Sequence, residues 1–114
     1  MDNTQDCVFC KIANKTQESN ILHETDNIMI IQDIMPKAPV HVLVMPKRHI
    51  VSVNGLEAGD SDMIAELVLA AKDYAVKAGV AESGYKLVMN NGKEGGQIIP
   101  HLHMHLLGGK QLEE

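Results

Sequence analysis

Residues 101–107 read His101-Leu102-His103-Met104-His105-Leu106-Leu107, an alternation of imidazole and aliphatic side chains. On a helix each two-residue step turns by about 200°, which would scatter the three rings around the axis. On a strand the same spacing puts all three His on one face and Leu102, Met104 and Leu106 on the other. The segment is therefore read as a strand beginning near His101, with a core face and a chemically active face. Its geometry limits what it can hold. Cα atoms two residues apart on a strand lie roughly 6.6 Å from each other, and the outer pair roughly 13 Å. With Zn–N bonds of about 2.0–2.1 Å, two neighbouring rings can share a metal, but a tris-His site on one strand is disfavoured. The plain alternative is a set of solvated strand histidines, and the regularity of the alternation argues against it.

Imidazole titrates near neutrality, so adjacent rings can serve in different protonation states. One can attack as a neutral nucleophile while another donates a proton or hydrogen bond to a phosphate oxygen or leaving group. A phosphorus electrophile suits this arrangement, because the phosphoramidate formed on histidine can later be cleaved by water. Just before the strand, Asn90-Asn91-Gly92-Lys93-Glu94-Gly95-Gly96 is rich in glycine and is followed by Gln97. Such a segment can present backbone and amide N–H groups to phosphate, or it can be a flexible turn.

The remaining chain reads as one unit, 1–114, with no internal repeat or linker. A short turn or helix around 8–15 precedes two strand-like runs, Ile21–Glu24 and Ile28–Asp33, joined by the turn-forming Thr25-Asp26-Asn27. A third run, Val40–Met45, follows a loop stiffened by Pro36 and Pro39 and stops at Pro46. One long helix is predicted from Ser61 to Ala78. Asp60, Ser61 and Asp62 supply N-cap chemistry and negative charge, and Gly79 stands where a terminating glycine belongs. Met63, Ile64, Leu67, Val68, Ala71, Tyr74, Ala75 and Ala78 recur with helical period and form its apolar face. A strand at Tyr85–Met89 and the histidine strand complete an α+β domain with a mainly antiparallel sheet.

Fifteen Asp and Glu against ten Lys and Arg give a net charge of −5, which offers no broad basic surface for nucleic acid. No apolar run approaches the roughly 20 residues of a membrane span, and Met1–Asp6 has neither a basic nor an apolar leader character. A cytoplasmic protein without membrane association is expected. In that setting the Cys7-Val8-Phe9-Cys10 pair reads as a metal or redox pair rather than a disulfide framework. No thioredoxin-like βαβ context surrounds it, which favours the metal.

With these motifs in place, the sequence resembles the histidine triad (HIT) family, and within it the HINT branch. The matching segments are CVFCKI at 7–12, IQDIMP at 31–36, APVHVLVMPKRHI at 38–50, NNGKEGGQ at 90–97 and HLHMHLLGG at 101–109, in the family's order. The resemblance implies a homodimeric α+β fold with one long helix and a short N-terminal helix, which hydrolyses purine nucleoside 5′-phosphoramidates of the AMP-amine or AMP-lysine type. It implies that His103 is the nucleophile, becoming a nucleotidyl-histidine, and that His105 contacts the phosphate with Asn90 and the Gln97 region. Asp33 matches the carboxylate that accepts the ribose hydroxyls. Phe9, Ile31, Ile34 and Leu43 match the walls around the base, and His41 matches a supporting histidine near the triad. Some members bind structural Zn²⁺ through the residues matching Cys7, Cys10, His49 and His101.

Two departures bear on function. Ile98 stands where the branch often has Ser or Thr, and it cannot donate a hydrogen bond near the leaving group. The chain ends at Glu114, soon after Gly109, where several relatives continue into a tail that shapes the partner's site. Beside the hydrolase stand two rivals. One is a nucleotide-binding sensor or scaffold with vestigial catalysis, favoured by Ile98; the other is a metal-dependent hydrolase using His101 and His103 as ligands.

Overall fold

A computed structural model of the chain describes residues 6–113. The leader-free reading of Met1–Asp6 therefore falls, except for Asp6, outside the described residues. The elements run α1 (Val8–Ala13), β1 (Ile21–Glu24), β2 (Ile28–Gln32), β3 (Val40–Pro46), α2 (Ser61–Lys77), β4 (Tyr85–Val88) and β5 (Met104–Gly108), with two single 3₁₀ turns leading into α2. The strands form one five-stranded sheet in the order β1-β2-β3-β5-β4, and every pairing is antiparallel.

The central strands are apolar on both faces, so both faces must be covered. Ile28, Ile30, Val42, Val44, Met104 and Leu106 meet Leu67, Ala71 and Ala75 of α2 on one side. Met29, Ile31, Leu43 and Met45 meet Cys7, Phe9, Cys10 and Ile12 of the N-terminal segment on the other. His105 stands opposite Leu43 in the β3–β5 ladder. The alternation of the pleat puts His41 and His105 on the α1 side. The chemistry thus shares a face with the shorter, thinner cover. The turn at the far end is tied to α2: Thr25 Oγ1 accepts the N–H groups of Asn27 and Ile28 and donates to Glu66 Oε2 at 2.7 Å.

The α+β reading, the hairpin and the long helix match the structure, and the differences have local causes. The first helix stops at Ala13 because Lys15 turns to φ 68° and the chain reverses. The histidine strand begins at Met104 rather than near His101. The ladder with β3 runs no further than Val44 opposite Met104, and Pro46 has no N–H to extend it. Leu102 N–H donates instead to Ile50 O at 2.6 Å, so His101–His103 approach the sheet as extended chain. Asp60 sits at the N-cap of α2 but does not cap it. Its carboxylate accepts the Glu57 N–H and pairs with Arg48, and these two contacts hold it below the ordinary carboxylate range. At the other end Gly79 takes φ 80°, as a terminating glycine does.

Val68 is the exception on the predicted apolar face. It is exposed, as are Leu69 and Val76, so α2 carries apolar side chains away from the core as well as toward it. Gly109 closes β5 at φ 93°, where a Cβ would come within 2.9 Å of Pro39. No helix among the described residues is long and apolar enough to cross a membrane.

Candidate active site

The three histidines of the motif differ in what their ring nitrogens touch, and those contacts assign the protons. His101 is fully buried, and its Nε2 lies 2.8 Å from Pro46 O. A carbonyl only accepts, so Nε2 carries the hydrogen and Nδ1 keeps its lone pair. That lone pair faces Cys7 Sγ at 3.2 Å and Cys10 Sγ at 3.5 Å, with His49 Nδ1 3.3 Å from Cys10 Sγ. All four ligand atoms lie within 4.8 Å of one another. Sulfur–nitrogen edges of a tetrahedral zinc site are roughly 3.5 Å, given its bond lengths. The donor set therefore fits zinc, with Pro46 O as the outer partner that fixes the ring. Burial pulls His101 down to about 4, the direction that keeps it neutral for ligation. Cys7 also N-caps α1, its Sγ accepting the Cys10 N–H at 3.4 Å. His103 is not among these four donors.

His103 turns its Nδ1 back to the carbonyl of His101, at 2.7 Å. The same acceptor argument puts the hydrogen on Nδ1 and leaves the lone pair on Nε2. The ring is nearly buried, edge-on to Phe9 at 5.2 Å and beside the His105 ring at 5.1 Å. A neutral imidazole held by a backbone carbonyl, with its outer nitrogen unprotonated, is a nucleophile in waiting.

His105 has the opposite tautomer. The Lys37 backbone N–H donates to His41 Nδ1 at 3.0 Å, so a neutral His41 carries its hydrogen on Nε2. That nitrogen faces His105 Nδ1 at 3.0 Å and Asp33 Oδ2 at 3.3 Å. His105 Nδ1 must therefore accept, and its own hydrogen is on Nε2. Burial, more than the Asp33 charge that opposes it, pulls His41 below its ordinary value. Burial, with repulsion from His103 and His41, brings His105 down to about 4. Asp33, His41 and His105 also lie close enough to hold a metal ion. The Lys37 N–H argues against that use, because the His41 nitrogen facing the cluster bears the hydrogen rather than a lone pair.

Beside the rings, a cleft of about 300 Å³ opens between α1 and the edges of β2 and β3. Phe9, Ile31, Asp33, Ile34 and Leu43, scattered through the sequence, all line it. Ile34 forms an exposed lip, and Asp33 Oδ1 is fixed by the Met35 N–H at 2.8 Å. Ile12 and Ile99 line it too and were not anticipated: Ile12 lies on the buried side of α1, and nothing in the sequence around Ile99 marks it. A larger depression of about 540 Å³ lies between the α2–β4 turn and the C-terminal segment and contains none of these groups.

The side-chain amides around the glycine-rich segment hold the loop in place. Asn90 Nδ2 donates to Gly95 O at 2.8 Å. Gln97 Oε1 accepts the Gly92 N–H, and its Nε2 donates to Val51 O at 2.6 Å and Ile99 O at 3.0 Å. The two side chains staple the loop and tie it to the segment after β3. Both Gln97 amide donors go to carbonyls outside the glycine-rich stretch, Val51 O and Ile99 O. Ile98, the residue after Gln97, is 91% exposed.

Comparison with known proteins agrees with this geometry. The family model described as scavenger mRNA decapping enzyme C-term binding matches residues 6–113. A purine nucleoside phosphoramidase of Escherichia coli is 37% identical over 108 residues, spanning 95% of this chain and 91% of that protein. A HIT family hydrolase from Legionella pneumophila superposes with a TM-score of 0.92 at 42% identity, covering 94% of this chain and 96% of that one. A zinc-bound histidine triad protein from Mycobacterium smegmatis superposes at 0.80 with 25% identity, covering 95% and 78%. Sequence, fold and the placement of the three histidines converge: the chain belongs to the histidine triad (HIT) family and is a hydrolase of that family.

Proposed function

We propose that the chain hydrolyses purine nucleoside 5′-phosphoramidates, of the AMP-amine or AMP-lysine type, through a nucleotidyl-His103 intermediate. The observation that carries this reading is the pair of opposed tautomers, a lone pair on His103 Nε2 beside a hydrogen on His105 Nε2. The purine sits in the aliphatic cleft against Phe9, Ile31, Ile34 and Leu43, and the ribose hydroxyls donate to Asp33. His103 Nε2 attacks the α-phosphorus; the new nitrogen–phosphorus bond forms as the bond to the amine breaks, and the amine leaves with a proton taken from solvent. The positive charge that develops on the ring is stabilised through Nδ1–H on the His101 carbonyl. His105 donates from Nε2 to the phosphate, and His41 holds His105 in that tautomer. Asn90 and Gln97 act by shaping the loop whose N–H groups border the phosphate. Water then attacks the phosphorus and gives up a proton to solvent, the bond to His103 breaks with its electron pair returning to Nε2, and the nucleoside monophosphate leaves.

The same reading assigns structural zinc to Cys7, Cys10, His49 and His101. The metal would anchor α1, and with it Phe9, to the strand that carries His103. Reducing conditions in the cytoplasm, where this reading puts the protein, keep both thiols available. It also assigns a homodimer. Val68, Leu69 and Val76 on α2 are exposed, and so is Leu87 on the edge strand β4; each offers apolar surface to a partner. Neither a nucleic acid nor a membrane is assigned as a partner.

Mixing the protein with an adenosine phosphoramidate, quenching rapidly without acid and weighing it intact should reveal an added AMP. His103→Ala should lack the adduct and lose turnover by at least about a thousandfold while still binding AMP. Unchanged turnover in His103→Ala sinks the covalent assignment, and nucleotide binding with no hydrolysis in the wild type favours the sensor. For zinc, metal analysis of the purified protein should find it in stoichiometric amount. Strong chelation should lower the melting temperature, with activity lost only as the fold loosens. Prompt loss of activity at an unchanged melting temperature would instead favour a catalytic metal.

Acid should destabilise the protein across a defined window. Unfolded histidine binds a proton near pH 6.5, whereas folded His105 does so only near pH 4. Between these values the unfolded state holds more protons, so stability is full above about 6.5 and is lost as pH falls towards 4. Urea midpoints from pH 7 to pH 4 should fall accordingly, and His105→Phe should flatten the decline; an equal slope in the variant would refute the assignment. Sedimentation at the mass of two chains is expected at micromolar concentration, with Leu69→Glu shifting it towards one; a monomeric wild type would exclude the dimer.

A further inference from the structure

One hydrogen atom in the site has two acceptors. His41 Nε2–H lies 3.0 Å from His105 Nδ1 and 3.3 Å from Asp33 Oδ2. His41 has no second hydrogen to offer, because its Nδ1 receives the Lys37 N–H. Nor can His41 move aside easily, since its backbone carbonyl is held by the Asp33 N–H and the Gln32 side-chain amide, each at 3.1 Å. The Met35 N–H fixes Asp33 Oδ1, leaving Oδ2 as the oxygen that faces His41, and Asp33 lines the cleft. A carboxylate is intrinsically the stronger acceptor, yet the shorter contact is to the imidazole. The two acceptors are therefore closely balanced.

We infer that sugar recognition at Asp33 is transmitted through His41 to His105, so that the ribose hydroxyls raise turnover and not affinity alone. The inference rests on the phosphoramidate reading and extends it by naming the selected class, ribonucleotides over deoxynucleotides, and the residue that does the selecting. When a ribose hydroxyl donates to Asp33 Oδ2, that oxygen competes less for the His41 hydrogen. The hydrogen then settles on His105 Nδ1, which fixes the His105 ring and keeps its own hydrogen on Nε2, facing phosphate. Without the hydroxyls, Asp33 shares the His41 hydrogen, and His105 is held less firmly in the tautomer that the shorter contact favours. His41 is thus a positioning residue: it links two ligand-binding groups by a coupling free energy between them.

The test compares adenosine 5′-phosphoramidate with its 2′,3′-dideoxy analogue in the wild type, His41→Gln and Asp33→Asn. Loss of the hydroxyls should lower wild-type kcat about five- to tenfold in addition to raising KM. The Gln amide has two N–H groups, one for each acceptor, so in His41→Gln the kcat gap should close while a KM gap remains. Asp33→Asn weakens the competing acceptor and should also close the kcat gap. Wild-type substrates differing in KM alone, or a kcat gap unchanged in both variants, overturn the inference. If the wild type hydrolyses neither compound, the phosphoramidate reading fails separately. Imidazole ¹⁵N–¹H spectra with AMP and dideoxy-AMP then decide. A His41 Nε2–H resonance that moves with AMP alone supports the coupling, and identical spectra reject it.

Discussion

The hydrogen bond from His101 Nε2 to Pro46 O, 2.8 Å long and fully buried, settles more of this molecule than its size implies. It joins the end of β3 to the chain entering β5 at the place where Pro46 can no longer extend a ladder. By holding the hydrogen on Nε2 it presents Nδ1 to two thiols, which brings the N-terminal segment down onto the sheet. The backbone carbonyl of the same residue then holds His103 Nδ1 at 2.7 Å and frees the outer nitrogen. One residue thereby couples sheet, N-terminal cover and the proposed nucleophile. The Phe9 ring, edge-on to His101 at 5.6 Å and to His103 at 5.2 Å, fills the space between them and also walls the cleft.

How much of this the sequence reveals depends on whether the information lies in side-chain type or in backbone groups. The alternation from His101 to Leu107 exposes the active face because the pleat has a period of two, and Leu102, Met104 and Leu106 are indeed buried. The resemblance gathers Phe9, Ile31, Asp33, Ile34 and Leu43, residues from separate segments, and the structure brings them to one cleft. The start of β5 is not legible in the same way, since it depends on where the partner strand runs out of N–H groups. Asn90 and Gln97 read as phosphate partners by residue type; their contacts to Gly95 O, Val51 O and Ile99 O depend on backbone groups that residue type does not reveal. Val68 follows the helical period but lies at the margin of the face centred on Leu67, Ala71 and Ala75, and it stays exposed.

The tautomers were the least legible part. Three backbone groups set them: Pro46 O for His101, His101 O for His103 and Lys37 N–H for His41. None has a side-chain signature, and Lys37 in particular contributes through its main chain. This also explains how two clusters of similar composition, close together on the same face, come to differ in chemistry. At His101 the backbone partner is an acceptor on the far nitrogen, so the nitrogen facing the cluster offers a lone pair to a metal. At His41 the backbone partner is a donor on the far nitrogen, so the nitrogen facing the cluster offers a hydrogen. Reversing either partner would exchange the roles. The loop from Asp33 to Pro39 thus shapes the candidate site through its backbone N–H groups: Met35 N–H orients the carboxylate, and Lys37 N–H directs the proton on His41 towards His105. Their action demands a fixed loop, and the stiffness of Pro36 and Pro39 supplies it.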